Sequence, residues 1–297
     1  MHTLKCVDYD FVIETYKDIL KLNEEYIKNW SADIHVFYRG QANCSWKIAP
    51  SISRNNVLSE FDIIQQAINC KNSDTHKLSL FEYIAYMQHY NYPTRFLDLT
   101  TNLDVALYFA CADSRNADKD GKLFMFTYGE RKPSSQDVMI LSELCLLQTE
   151  ISVENFSKQL INKYTEFEKY SYSTDIQELS MNAISFLDHG FVVLPEENDY
   201  INMKLHNLRI KQQSGAFFIC GNKSKKPFTS WDRISTHAGH NIILPEVNPV
   251  PSTLWHPDWS YSLRIPSSLK SHILYMLAKK GITEHYLFPE EKSDLTY

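Results

Sequence analysis

Apolar positions along this chain recur with two periods, and the most informative stretch lies where one helical run stops and another begins. Between residues 81 and 88, Phe81, Ile84, Ala85 and Met87 fall at helical spacing, and Ile84, Met87 and Gln88 share one side. Pro93 ends that run and holds Tyr92 extended, so residues 94–98 leave the helix as a strand or tight connection. Thr100, Thr101 and Asn102 then offer caps for a helix opened by Leu103, Val105, Ala106 and Leu107, which is apolar nearly all round and predicts burial. A polar elbow carrying Gln88, His89, Thr94, Arg95, Asp98 and Thr100 is thereby set between two apolar helices.

The same periods organise the rest. Residues 10–30 predict an amphipathic helix, and residues 34–41 alternate as a strand that Gly40 ends, leaving room for a close backbone or ligand. Arg39 sits at that strand end between aromatic flanks, and a partly buried guanidinium wants an anion. Residues 45–54 read as extended, and residues 60–68 as a short helix with Phe61, Ile64 and Ile68 inward. Residues 122–128 form a strand within the sheet. Residues 130–197 are less regular, with helical runs at 139–147 and 177–187 and a charged, tyrosine-rich face at 157–172; they are expected to be an insertion or lid. A polar entry at 209–213 leads into a strong strand, and the chain closes with a strand at 261–265, a helix at 267–280 capped by Gly281, and an aromatic tail. The pattern predicts an α+β fold, a mixed sheet with packed helices, in one domain spanning 1–297.

Composition narrows the function. At 297 residues and 43% hydrophobic, the chain can build a full-sized core. A net charge of -6 with interspersed signs gives no basic stripe, which disfavours nonspecific nucleic-acid binding. Six cysteines without a CxxC pair read as reduced thiols of a cytoplasmic protein, and eleven scattered histidines give no metal-site spacing. Nowhere do eighteen apolar residues run together and the first thirty carry charges throughout, so neither a membrane span nor a secretion signal is expected. Hydrolase elbows, P-loops and dinucleotide-fold turns are missing.

Three blocks resemble the FRG domain family. Tyr38-Arg39-Gly40-Gln41, followed by Ser45-Trp46 and Pro50-Ser51, is similar to its naming motif. Gln88, His89, Tyr90, Pro93, Thr94, Arg95, Leu97, Asp98 and Thr100 resemble its central run, and Arg209, Ile210, Gln213, Gly215 and Phe217 its third block. A weaker resemblance is to ADP-ribosyltransferases of the Arg-Ser-Glu type, in which an arginine beside an aromatic meets the NAD phosphates, a Ser/Thr block supports the nicotinamide pocket, and a Glu or Gln touches the ribose. Tyr38-Arg39, Thr94-Arg95 with Thr100, and Gln213 stand in the same order. That resemblance implies an NAD-dependent ADP-ribosyltransferase acting on an intracellular macromolecule, a toxin or phage-defence effector, with NAD as substrate. Arg39, Thr94 and Gln213 would be its catalytic set, and Arg39, Gly40, Gln41, Gln88, His89, Thr94, Arg95, Asp98 and Thr100 its nucleotide-binding set.

One departure bears on catalysis. No Glu-x-Glu precedes Gly215, and an amide at Gln213 orients but does not act as a strong base. A carboxylate from the insertion, such as Glu178 or Glu197, would supply what is missing; without one, a non-catalytic module binding a nucleotide, an anionic ligand or a partner is the alternative. Asp98 has two readings, a buried pair with Arg95 or Arg39 that holds the fold, or a free carboxylate in the cleft.

Overall fold

The computed structural model describes residues 13–30, 35–54, 59–69, 80–89, 92–128, 135–165, 167, 190–193, 208–225, 241–248 and 260–289. Its centre is a six-stranded sheet in the order β5-β6-β2-β1-β3-β9, formed by β1 (His35–Gln41), β2 (Phe96–Thr100), β3 (Gly121–Tyr128), β5 (Phe191–Val193), β6 (Gly215–Ile219) and β9 (Ser260–Ile265). A second sheet joins β4 (Ile151–Ser152), β8 (Ile242–Val247) and β7 (Asn222–Ser224). The architecture is α+β, and every described strand pair is antiparallel.

Strand alternation divides the core in two. Leu123 and Met125 of β3 face one side, with Tyr38 of β1 and Leu263 and Ile265 of β9. Against them pack α1 (Tyr16–Lys28), α4 (Leu103–Cys111) and α8 (Ser267–Lys279). Phe124 and Phe126, with Phe37, face the opposite side, where α2 (Glu60–Asn69), α3 (Leu80–His89), α5 (Ser135–Cys145) and α6 (Val153–Lys163) cover the sheet. Two short helices, α7 (Leu208–Gln212) and α9 (Glu284–Leu287), complete the described elements.

Local chemistry sets these boundaries. Asn102 caps α4 through its side-chain oxygen, which accepts from the Asp104 and Val105 amides at 2.9 and 3.4 Å. Thr100, an equal candidate by sequence, instead donates its hydroxyl to the Gln213 carbonyl at 2.7 Å and ties β2 to the end of α7. Gly40 lies inside β1 rather than ending it, and a Cβ there would stand 1.8 Å from the Ala106 carbonyl oxygen of α4. The close backbone expected at this glycine is therefore α4 itself.

Residues 45–50 form no strand, because Asn43 Oδ1 turns the chain by accepting from the Ser45 amide and hydroxyl at 3.0 and 2.7 Å; a 3-10 turn, Ser51–Arg54, follows. In α2 the inward face is Ile63, Ile64 and Ala67, with Glu60 buried beside them, while Phe61 is half-exposed. Within residues 130–197, α5 and α6 fill the core with Leu141, Leu144, Phe156 and Leu160, and β5 forms an edge of the large sheet. The run at 157–172, expected to be a solvated face, begins inside α6 with Ser157 and Leu160 buried. The helical run at 177–187 lies outside the described residues. None of the described helices is long and apolar enough to cross a membrane.

Candidate functional site

The strands carrying the three sequence blocks are neighbours, with β2 between β1 and β6. Where they meet the end of α3, the 3-10 turn and α7, they enclose a cavity of about 320 Å³. That is within the range of small-molecule sites. Arg39, Gly40, Gln88, Asp98, Thr100 and Gln213 of the sequence-derived set line it. Ser51, Tyr92, Phe109, Arg209 and Phe217 are among the other residues of its wall; composition and motif gave these residues no role beyond packing and family likeness.

Arg39 enters the cavity from β1 as a half-buried guanidinium. One nitrogen, Nη1, donates to the Asp98 carbonyl oxygen at 2.5 Å, while Nε is buried without a hydrogen-bond partner. Among the described residues it forms no ion pair. Burial pushes its pKa down to about 10; the Asp98 charge works against that shift and the nearby Arg54 charge adds to it. The group stays cationic at neutral pH, short of donors' partners and in need of an anion. Tyr38, the adjoining aromatic, is turned the other way and donates its hydroxyl to Asn23 of α1 at 2.8 Å.

Asp98 occupies the centre of β2, and β2 is an interior strand of the sheet. Its four neighbours in the strand are buried, yet Asp98 is exposed. Exposure at mid-sheet means that the cavity reaches the strand there. Gln88 Nε2 donates to Asp98 Oδ1 at 2.9 Å. The other end of that amide, Oε1, accepts a short hydrogen bond from the Thr94 hydroxyl. Thr94 is itself fixed by the 3-10 turn: its amide donates to Ser51 Oγ at 2.9 Å and its carbonyl accepts from the Ile52 amide at 3.1 Å. Thr94 is buried behind Gln88 and does not line the cavity.

Gln213 does line it, at the turn between α7 and β6, where Ser214 takes a left-handed φ of 45°. Its amide nitrogen donates to the Leu287 carbonyl at 3.0 Å, which leaves the amide oxygen as an acceptor. Arg209 brings a second cation, its guanidinium 4.6 Å from the centre of the Phe288 ring.

Arg95 is elsewhere. Fully buried, it donates Nε and Nη2 to the Glu60 carboxylate at 3.0 and 2.5 Å, and Nη1 to the Cys220 carbonyl and Asn222 Oδ1 at 3.1 and 3.0 Å. Burial alone would lower its pKa; the charges of Cys145 and Glu60 and the Glu60 bonds outweigh that and hold it raised. The thiol of Cys220 beside it is pushed up to about 12, first by burial. The paired reading of Asp98 thus fails on both arginines, since Arg95 takes Glu60 and Arg39 takes the backbone oxygen of Asp98. Helix periodicity held the signal for Glu60: positions 60, 63, 64 and 67 share one face.

Gln41 is buried and does not line the cavity, and both of its amide atoms lack partners. His89 ends α3, its side chain outside what is described, and Glu178 and Glu197 lie outside the described residues. Asp98 is therefore the carboxylate that the described cavity contains.

Residues 34–119 match the model of the FRG domain family, and that segment holds β1, the Gln88–Thr94–Asp98 chain of hydrogen bonds and α4. No curated protein matches the chain. No solved structure matches it either.

Proposed function

We propose that the cavity takes the phosphate-bearing end of NAD and that the FRG domain acts as an NAD-dependent ADP-ribosyltransferase on an intracellular macromolecule, in the manner of a toxin or phage-defence effector. The observation that supports this most directly is Arg39, a cationic guanidinium inside the cavity with an unbonded Nε and no carboxylate of its own. A guanidinium fork suits a diphosphate, and the phosphate would supply the missing acceptor. Tyr92, Phe109 and Phe217 offer ring faces for a base or nicotinamide. The Gln213 amide oxygen is suited to a ribose hydroxyl, an orienting role that an amide can perform. At about 320 Å³ the cavity suits the nicotinamide nucleotide, with the adenosine half extending toward the open side past the exposed Tyr92.

A second reading, a non-catalytic module that captures a nucleotide or anionic partner, is favoured by one observation: the third-strand position is an amide already donating to Leu287. Calorimetry with NAD, ADP-ribose, ADP and adenosine tests the shared step. Binding of the first three but not of adenosine, lost in Arg39→Ala, supports an anion site at Arg39; equal binding of adenosine sinks it. Incubation with labelled NAD and a cell lysate then separates the readings, since label becomes covalently attached to a target only if the chain transfers ADP-ribose.

A further inference from the structure

Building on the NAD reading, we infer that Asp98 is the catalytic carboxylate of the cavity, in place of the glutamate that the third strand lacks. Three independent observations carry it. Asp98 is the carboxylate lining the cavity among the described residues, and Glu60 is spent on Arg95 away from the cavity wall. It is exposed at the middle of an interior strand whose other residues are buried, a place where a carboxylate has no folding role in view. And it is aimed: the Thr94 hydroxyl donates to Gln88 Oε1, which turns the Gln88 NH2 toward Asp98 Oδ1 at 2.9 Å. A donor on one oxygen leaves the second oxygen for a ligand. Thr94 and Gln88 are positioning residues in this arrangement, which explains why they belong to the motif although Thr94 does not reach the cavity.

The chemistry follows. In NAD the bond from ribose C1′ to the nicotinamide nitrogen breaks, and its electron pair stays on nitrogen, converting the pyridinium to neutral nicotinamide. Positive charge passes to the ribose ring as an oxocarbenium-like species, which an anionic carboxylate a few ångströms away stabilises. An acceptor hydroxyl or amine, or water, then bonds to C1′ and gives its proton to Asp98, which returns it to solvent. Nicotinamide, the ADP-ribosyl product and one proton are released. Arg39, bonded to the Asp98 carbonyl at 2.5 Å, would hold the diphosphate beside the same residue.

The test measures NAD affinity by calorimetry and nicotinamide release from NAD with water as acceptor, on the full chain. Asp98→Asn is expected to bind NAD with affinity within about threefold of wild type while kcat for nicotinamide release falls on the order of 100-fold or more, with KM nearly unchanged. Asp98→Ala should be equally slow and should regain activity in added formate, a rescue that a structural defect would not show. Asp98→Asn releasing nicotinamide at the wild-type rate overturns the role of Asp98 and leaves the NAD site standing. Wild-type protein that neither binds NAD nor releases nicotinamide overturns the NAD reading and this role with it.

Discussion

Two arginines of this fold are treated in opposite ways. Arg95 is fully buried, and its guanidinium nitrogens are bonded to the Glu60 carboxylate, the Cys220 carbonyl and Asn222. Arg39 keeps a single bond to a backbone oxygen and a buried Nε with nothing to meet it. A buried ionic group survives in a fold only when its neighbours satisfy it. Arg95 meets that condition from within the chain. Arg39 meets it only if something enters the cavity. Satisfaction, rather than burial or motif, thus separates the arginine that holds the fold from the arginine that waits for a ligand.

The largest expected effect comes from breaking the satisfied side. Glu60→Gln keeps the shape of the side chain and leaves Arg95 as a buried cation without a countercharge, which should cost about 3–5 kcal/mol. Thermal unfolding should drop by roughly 5–8 °C, with ligand binding by the residual folded protein unchanged. An unshifted melting curve would mean that the pair is not what secures α2 to the sheet.

This contrast also shows what sequence could and could not reveal. Periodicity located α1, α4, β1, β3 and α8, and the glycine in an alternating strand at position 40 foretold the close passage of α4. Those features are local, written in spacings of two, three and four residues. The partners of Arg95 stand 35, 125 and 127 residues away, so no spacing could assign them. Arg95 and Asp98 lie three residues apart in one motif, which invited pairing them, yet Arg95 takes Glu60 while Asp98 lines the cavity. Thr94 was legible as a site residue but not as one acting through Gln88, because that role depends on how the end of α3 meets β2. Residues 45–50 form no strand for a different reason: Asn43 makes a side-chain turn that competes with strand pairing.

A smaller loss is expected at the outer ring of the Arg95 cluster. Asn222→Ala removes the acceptor for Nη1 and the donor to the Leu244 carbonyl at 2.8 Å. Chemical denaturation should show about 1–3 kcal/mol of destabilisation. If the double variant with Glu60→Gln loses only as much as Glu60→Gln alone, the two residues act as one unit on Arg95.

On the unsatisfied side the order reverses, with stability nearly kept and affinity lost. Arg39→Ala gives up one bond to the Asp98 carbonyl but also removes a half-buried cation, so stability should stay within about 1 kcal/mol. Affinity for NAD or ADP should fall by about 1.5–3 kcal/mol, on the order of 10- to 100-fold. A melting temperature that collapses as it does for Glu60→Gln would place Arg39 with Arg95 as a structural residue and end the contrast.

The smallest effect tests the one residue that fits neither side. Gln41 follows Arg39 by two positions in β1 and is 3% exposed, yet neither its amide nitrogen nor its amide oxygen has a partner. It pairs through the backbone with Lys122 of β3 and stands off the cavity wall. An idle buried amide loses its hydration without regaining a bond, and an apolar side chain of the same shape avoids that cost. Gln41→Met should therefore raise stability by about 0.5–1 kcal/mol in chemical denaturation and leave NAD affinity as it was. If affinity falls instead, the Gln41 amide reaches the ligand, and the unsatisfied region extends along β1 from Arg39. If stability falls with affinity intact, the amide is satisfied within the fold, and Gln41 belongs with Arg95 among the structural residues.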